Sequence, residues 1–284
     1  MPRILILSDI HLGLDEFPSF RPARTAESLA PLIAETDQLV LNGDTSQPHH
    51  VHRSGASSRL LDDLLDRASR ERVCVVLING NHDFSPSQPD FLELFEGAIF
   101  VTHGHAFGDS MIPWTHAHSV VMRELAIARA RNPETMEGIL RAAGEASMAQ
   151  WSASAPFREP TSLLSIGFNP VRVARVLSWW RTYPRKAAEF LDRFRRDCQI
   201  LVCGHSHRSG SWHVAATKGG TPHHVLNTGS FMFPSSPRAV CVDSTATDVA
   251  VELRAIIGVS GRYALAPRSP ASCWRIQRPT SATR

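Results

Sequence analysis

Residues 4–11 read ILILSDIH, a short apolar run followed at once by an aspartate and a histidine. An unbroken run of Ile and Leu is typical of a strand that is buried on both faces. The same order, an apolar run and then Asp, Asn or His, recurs along the chain. The apolar runs are Ile4 to Leu7, Leu39 to Leu41, Val73 to Ile78, Ile99 to Val101 and Ile200 to Val202. The polar motifs that follow them are Asp9-Ile-His11, Gly43-Asp44, Gly80-Asn81-His82-Asp83, His103-Gly-His105 and Gly204-His205-Ser-His207.

Polar side chains that follow such strands converge at one edge of a sheet, so these motifs predict a metal site. Carboxylate, amide and imidazole donors together suit Mn²⁺, Zn²⁺ or iron, whereas Mg²⁺ alone rarely recruits so many histidines. Each residue also has an ordinary interpretation, because Asp, Asn and Gly are common in turns. Turn chemistry does not explain why a histidine recurs after nearly every strand. The pattern therefore favours a two-metal hydrolase.

From Met1 to about Phe233, these motifs resemble the calcineurin-like metallophosphoesterases in order and local chemistry. The resemblance implies an α/β (α+β) fold, a β-sandwich of two mixed sheets flanked by helices. It also implies a centre that binds two divalent metal ions. The expected ion is Mn²⁺, with Zn²⁺, Fe or Ni²⁺ as alternatives. A hydroxide that bridges the two ions would attack a phosphate ester or pyrophosphate bond. By motif, Asp9, His11 and His207 hold one ion, Asn81, His103 and His205 hold the other, and Asp44 bridges both.

The same resemblance makes His82 the proton donor to the leaving group. Asp83 is the second candidate catalytic residue, and it either holds His82 in the required tautomer or caps the segment that follows. His105 lies two positions from a predicted ligand, so it orients His103, contacts phosphate or stays solvated.

About a hundred residues separate His103 from His205, which is too long for a bare loop. We expect a helical insert at about residues 108–197, with helices in Glu124 to Ala130, Met136 to Gln150 and Val171 to Arg196, the last divided in two by Pro184. Its aromatic residues and arginines fit two interpretations. The insert is a structural cap with solvated charges, or a lid in which Arg181 and Arg185 bind substrate phosphate.

The position and basic character of the insert resemble the UDP-2,3-diacylglucosamine diphosphatase branch, which acts in lipid A synthesis. Two features depart from that branch, His82 where it usually has Arg and the sequence Gly-Asp-Thr-Ser-Gln around Asp44. The substrate is therefore open between a phosphorylated small molecule and a lipid-linked one. A nuclease ranks lower, since a net charge of +3 does not indicate a nucleic-acid partner. A non-catalytic scaffold also ranks lower, because the sequence retains every ligand of the motifs and the histidine after Asn81.

Outside the insert, helical spacing in Ala26 to Ala34 and Ser58 to Arg70 predicts β-α-β units. Short strands are expected in Trp212 to Ala215, His224 to Leu226, Ala239 to Val242 and Val249 to Leu253. We expect one domain over residues 1–258 and a loosely ordered tail over residues 259–284, which are rich in Ser, Pro and Arg.

Five cysteines, odd in number and without Cys-x-x-Cys spacing, favour reduced thiols. The first apolar run is too short for a signal peptide, and no stretch approaches the length of a spanning helix. We expect a soluble cytoplasmic protein and leave open a peripheral contact of the insert with the inner membrane surface. The oligomeric state is also open.

Overall fold

The computed structural model describes residues 3–14, 21–34, 36–50, 52–108, 111–115, 117–154, 169–216, 220–245, 247–269 and 272–277. The strands in this part of the chain are β1 (Arg3–Leu7), β2 (Gln38–Asn42), β3 (Cys74–Ile78), β4 (Phe91–Leu94), β5 (Ile99–Thr102), β6 (Ile200–Cys203), β7 (Gly210–Val214), β8 (His223–Asn227), β9 (Arg238–Ser244), β10 (Asp248–Val259), β11 (Arg262–Leu265) and β12 (Cys273–Gln277). The helices are α1 (Ala26–Ile33), α2 (Ser54–Arg70), α3 (His118–Arg131), α4 (Met136–Ser154) and α5 (Pro170–Phe194).

The strands form two mixed sheets, which confirms the predicted fold class. The first has the order β11-β10-β9-β1-β2-β3, with β12 also paired to β10, and the second has the order β4-β5-β6-β8-β7. Strands β1, β2 and β3 run parallel to one another, as do β5, β6 and β8, and the other pairings are antiparallel.

Strand β1 shows why its apolar run is unbroken. Ile4 and Ile6 point between the two sheets, into a core that includes Val101 of β5. Leu5 and Leu7 point to the opposite face, into a second core with Leu29 of α1. Because both faces of the sheet are covered, alternate positions have no solvent side and polar residues are excluded from the strand.

Helices α3, α4 and α5 lie inside the insert expected at about residues 108–197 and cover the outer face of the second sheet. Leu125, Leu140 and Phe190 of these helices pack with Phe100 of β5 in a third core. Burial of a side chain of this size stabilises the fold by about 1.5–3 kcal/mol. The helices are therefore part of the folded core. None of the described helices is long and apolar enough to cross a membrane.

The prediction that Pro184 divides the last helix is wrong, because α5 continues through it without a break. A proline ring has no N–H, so the carbonyl of Trp180 loses its usual partner within the helix. The side chain of Arg208 supplies a replacement, since its Nη1 donates to that carbonyl at 3.3 Å. Tyr183 and Ala187 on either side of the proline are buried in the third core, which holds both halves of the helix in line.

The prediction of a loosely ordered tail is also wrong for the described residues past Gly258. Strands β11 and β12 both pair with β10, and Tyr263 and Ile276 are only 2% and 3% exposed. The Tyr263 hydroxyl donates to the carbonyl of Pro22 at 2.7 Å. Residues 278–284, to which the prediction also applied, lie outside the described residues.

Candidate metal centre

The predicted ligands that follow β1, β2, β5 and β6 meet at one edge of the sandwich. Their donor atoms form overlapping groups, within each of which all atoms lie within 4.8 Å of one another. The groups are Asp9 with His11 and His207, Asp44 with His11 and His82, and Asp44 with His103 and His205. Residues from both sheets contribute, so the centre forms only when the two sheets pack.

Asp44 lies between the groups and presents one carboxylate oxygen to all of them. Its Oδ2 is 3.4 Å from Nε2 of His103, 3.8 Å from Nε2 of His82 and 3.9 Å from Nε2 of His11. Its Oδ1 accepts the backbone N–H of His82 at 2.8 Å. One oxygen is thus held by the protein, and the other is left to face the imidazoles.

On the β1 side, Asp9 and two histidines face one another closely. Nε2 of His207 is 3.2 Å from Oδ1 of Asp9 and 3.1 Å from Nε2 of His11. Asp9 Oδ1 is buried and has no hydrogen-bond partner among the described residues. A buried carboxylate oxygen without a donor is costly unless a cation is nearby, so this group fits a divalent ion.

On the other side, Asn81 completes the predicted set. It is fully buried, and its Oδ1 is 3.3 Å from Nε2 of His103. Its amide nitrogen has no hydrogen-bond partner in the described part of the chain. The oxygen and nitrogen donors on this side all come from buried side chains, those of Asn81, His103, His205 and Asp44. Such a mixed donor set suits a transition metal such as Mn²⁺ or Zn²⁺.

The ligand loops are held in an uncommon backbone conformation. Asp9, His11, Asp44, His205 and His207 all have positive φ values, between 52° and 62°. Non-glycine residues rarely adopt this left-handed region, and each costs of order 1–3 kcal/mol. Four other described non-glycine residues, Arg72, Phe95, Glu96 and Ser260, also have positive φ values, so five of these nine residues are predicted ligands.

Two glycines of the motifs are required by close approach. A Cβ atom on Gly204 would lie 2.1 Å from Ser8 Oγ and 2.2 Å from Asp9 Oδ2. A Cβ atom on Gly43, which also has a positive φ of 76°, would lie 2.6 Å from the ring of His103. Any larger residue at either position would push a predicted ligand away.

Hydrogen bonds to backbone carbonyls decide which imidazole nitrogen is free. His103 donates from Nδ1 to the carbonyl of Asn42 at 3.0 Å, so its Nε2 faces the centre. His205 donates from Nε2 to the carbonyl of Met111 at 2.6 Å, so the lone pair on its Nδ1 is the one available to bind an ion. Such second partners fix the orientation of metal-binding histidines.

Burial and charge act in opposite directions within the centre. Burial lowers the pKa of His103, but the charges of Asp44 and Asp9 outweigh it and raise the pKa to about 9. For Asp44, burial acts to raise the pKa, and the facing His103 and His82 hold it well below its usual range. The aspartates thus attract positive charge strongly, whether it comes from a proton or a metal ion.

The interpretation that Asp83 holds the tautomer of His82 is not supported by the contacts of its carboxylate. Its two oxygens instead accept backbone N–H groups of Gly80, Asp44, Thr45 and Ser46, at 2.7–3.2 Å. Burial, together with the charge of Asp44, raises the pKa of Asp83 to about 6. Asp83 therefore ties the loop after β2 to the loop after β3.

His82 contacts a different residue, Gln47, which the sequence analysis missed. His82 Nδ1 is 2.7 Å from Gln47 Oε1, and its ring lies edge-on to the ring of Trp151 in α4, with centroids 5.0 Å apart. Burial lowers the pKa of His82. Its Nε2 is the nitrogen that faces Asp44.

The three predicted substrate-binding residues differ in position. His105 is buried beside His103 and His205, with ring centroids 5.5 and 6.1 Å away, and neither of its nitrogens has a hydrogen-bond partner among the described residues. Burial lowers its pKa to about 3. Arg181 is exposed, and Arg185 is 66% exposed and paired with Glu189 at 3.1 Å. No described contact joins either arginine to the centre.

Aromatic residues of the insert adjoin the centre instead. Trp114 and Trp179 lie 5.3 and 5.6 Å from the ring of His205, measured between centroids. Beside Trp179 is a cavity of about 240 Å³ whose lining includes Arg175 and Lys186. These residues belong to no sequence motif. The packing of α5 and of the segment around Trp114 in the third core brings them here.

A comparison with protein-family models matches residues 2–209 to the calcineurin-like phosphoesterases. Comparison with curated proteins gives no match. Solved structures that resemble the chain include a dimetal phosphatase from Danio rerio (14% identity, 98% of this chain and 100% of that one, TM-score 0.47). Another is a predicted phosphoesterase from Streptococcus pneumoniae (15% identity, 98% of this chain and 98% of that one, TM-score 0.37). A third is Vps29 from Entamoeba histolytica in complex with zinc (11% identity, 97% of this chain and 98% of that one, TM-score 0.41).

Because the family match covers well over half of its length, the chain belongs to the calcineurin-like phosphoesterase family. It is a metallophosphoesterase, a hydrolase that acts on phosphate esters. This confirms the family that the five strand-end motifs predicted.

Proposed function

We propose that the protein is a dinuclear phosphoesterase with Mn²⁺ as its preferred ion. The observation that carries the proposal is the position of Asp44 Oδ2, which faces imidazoles from both ligand groups. Asp9, His11 and His207 hold one ion, Asn81, His103 and His205 hold the other, and Asp44 is shared. When bound, such a pair of ions stabilises the charge of the reacting phosphoryl group and lowers the pKa of water.

Within this proposal the protein's own residues position the substrate and move one proton. His82 donates from Nε2 to the leaving oxygen, because that nitrogen faces the centre without belonging to either ligand set. The buried amide nitrogen of Asn81, which has no hydrogen-bond partner among the described residues, is available to donate to a phosphoryl oxygen. Trp151 covers His82 on the insert side and limits the access of water to the proton.

A second candidate is a pyrophosphatase that acts on a larger, lipid-linked substrate such as UDP-2,3-diacylglucosamine. The cavity beside Trp179 supports it, because Arg175 and Lys186 offer positive charge next to an aromatic wall. Val171 and Leu177 on the same helix are 67% and 55% exposed, which suits contact with acyl chains at a membrane surface.

An activity panel tests both candidates. Purified protein with Mn²⁺ is assayed on p-nitrophenyl phosphate, bis(p-nitrophenyl) phosphate, cyclic nucleotides, UDP-sugars, UDP-2,3-diacylglucosamine and single-stranded DNA. We expect hydrolysis of at least one phosphate ester that a chelator abolishes and Mn²⁺ restores. Preference for the acylated UDP-sugar would favour the second candidate. Absence of hydrolysis with Mn²⁺, Zn²⁺, Fe²⁺ and Ni²⁺ alike would contradict the proposal.

A further inference from the structure

Tyr183 of α5 reaches the point where the loops that carry His103 and His205 meet. Its hydroxyl oxygen is 3.2 Å from the carbonyl oxygen of Gly104 and 3.2 Å from that of Gly204, so its proton is shared between two acceptors. Gly104 directly follows His103, and Gly204 directly precedes His205. The tyrosine is only 2% exposed. One buried hydroxyl therefore contacts the backbone beside two predicted ligands of the same ion.

The two loops also contact each other at this point. The N–H of Gly204 donates to the carbonyl of His103 at 3.0 Å. Gly104 has a φ of 98°, and a Cβ atom there would lie 2.2 Å from the hydroxyl oxygen of Tyr183. Glycine adopts this conformation readily and also leaves room for the tyrosine. The close approach of Tyr183 thus depends on the sequence of the loop after β5.

The hydroxyl is not needed merely to satisfy buried carbonyl groups. The carbonyl of Gly104 also accepts the N–H of Phe107 at 3.3 Å, and the carbonyl of Gly204 accepts Nδ2 of Asn227 at 2.6 Å. Both carbonyls would keep a donor without the hydroxyl, so the usual penalty for an unpaired buried group does not apply. What the hydroxyl of Tyr183 adds is a link between the two loops and α5.

The ring of Tyr183 is held in place by aromatic neighbours. Trp179 lies 4.7 Å from it and Phe107 lies 5.8 Å from it, measured between ring centroids. Trp180, the next residue of α5, donates from Nε1 to the carbonyl of Ser206 at 2.9 Å. Helix α5 therefore contacts the loop after β6 at two points and the loop after β5 at one.

We propose that Tyr183 is a positioning residue that sets the geometry of the ion site formed by His103 and His205. The nitrogens available to the ion, Nε2 of His103 and Nδ1 of His205, belong to different loops, so the ion binds tightly only while the loops keep a fixed spacing. Tyr183 holds both loops against a helix that is buried in the third core. The insert therefore supports the metal centre through a residue that binds no ion itself. The inference rests on the proposed function, in which these histidines hold one of two ions.

The chain has two tyrosines, which give a matched pair of variants. Tyr263 is also 2% exposed, and its hydroxyl also donates to a backbone carbonyl, but it lies in the second core. Tyr183→Phe and Tyr263→Phe each keep the ring and remove the hydroxyl. The melting temperatures of both metal-free variants should therefore fall by similar amounts, whereas only Tyr183→Phe should change ion binding.

Calorimetric titration of the metal-free proteins with Mn²⁺ measures ion binding without any activity assay. We expect two ions with unchanged affinities in Tyr263→Phe. In Tyr183→Phe, one of the two dissociation constants should rise by about 10–100-fold, the usual cost of losing an outer partner of a metal site. The other constant should change much less. Wild-type affinities in Tyr183→Phe, or the same loss in Tyr263→Phe, would overturn the positioning role.

Crystals of Tyr183→Phe and of the wild type, soaked at one Mn²⁺ concentration between the two dissociation constants of the variant, identify the weakened ion. Anomalous scattering at the manganese edge should show that the variant loses occupancy beside His103 and His205 and keeps it beside His11 and His207. A loss at the other position would overturn the inference. A wild type that binds fewer than two ions would overturn the proposed function and this inference with it. A wild type with two ions and an unaffected variant would overturn only the role of Tyr183.

Discussion

At the scale of single residues, the charge of Asp44 is the feature on which the centre depends. Its Oδ2 faces three imidazoles, and its Oδ1 is held by the backbone of His82. An asparagine in its place would keep the shape and the hydrogen bond but remove the charge that attracts two cations.

Asp44→Asn should therefore bind fewer ions than the wild type and lose more activity than the roughly 10–100-fold that removal of an outer hydrogen-bond partner costs. Metal analysis with circular dichroism measures both ion content and fold. Asp62→Asn, an exposed change on α2, should leave both unaffected. Full ion content and normal turnover in Asp44→Asn would show that Asp44 does not bridge the two ions.

His82→Ala tests proton donation. Its kcat/KM should fall by roughly 10²–10⁴ for alkyl esters, and the loss should diminish as the leaving group becomes a better anion. A series of substituted aryl and alkyl esters gives that slope, with ion content measured in parallel. A uniform loss would instead mean that His82 binds the phosphoryl oxygens or supports the geometry of the site.

At this scale, the sequence predicted residue types better than it predicted contacts. The clustered ligands could be found because Asp and His recur after buried strands. Gln47 could not, since a glutamine three positions after Asp44 looks like an ordinary loop residue until the left-handed turns at His11 and Asp44 bring the rings to it. For the same reason neither interpretation of Asp83, as a partner of His82 or as a cap of the following segment, included its contacts with the loop after β2.

At the scale of elements, α5 separates its positive charges onto different surfaces. Arg175 and Lys186 line the cavity beside Trp179, whereas Arg181 and Arg185 are not part of its lining. The two pairs have equal charge and belong to one helix, so each is a control for the other.

Joint replacement of Arg175 and Lys186 by Ala should raise KM for a UDP-sugar substrate by about 10-fold, equivalent to ~1.4 kcal/mol of binding free energy. KM for p-nitrophenyl phosphate should change much less, because that substrate is too small to reach the cavity. Joint replacement of Arg181 and Arg185 should have little effect on either value. Equal effects of the two pairs would show that general positive charge matters and the cavity does not.

The elements that the sequence predicted well are the ones covered on both faces, such as β1 and β6, because full burial excludes polar residues from the whole run. Strand β4 was missed because it is short and lies at the edge of its sheet. The break at Pro184 was predicted from a local rule, which Arg208 and the buried side of α5 override. Strands β11 and β12 were not predicted, because the serines, prolines and arginines around them are typical of a loosely ordered tail.

At the scale of the whole molecule, two of the three cores bury most of the thiols. Burial raises the pKa of Cys198 and Cys203 to about 12 and that of Cys241 to about 11, whereas Cys74 and Cys273 are exposed. Since the thiolate is the reactive form, the three buried cysteines should resist alkylation.

Mass spectrometry after brief treatment with iodoacetamide near pH 7.5 should find at most two labels on the native chain, at Cys74 and Cys273. Five labels should appear after denaturation. Rapid native labelling of Cys203, which lies at the end of β6 beside the metal-binding loop, would show that the second sheet and the insert do not pack as described.

In the proposed centre, the two sheets together hold a pair of metal ions around Asp44. Its most direct test is a crystal structure of the Mn²⁺-loaded protein with anomalous scattering at the manganese edge. We predict two peaks about 3.5–4 Å apart, the spacing of two-metal sites, with Asp44 Oδ2 between them. A single peak, or two peaks that do not share Asp44, would contradict a dinuclear centre bridged by Asp44.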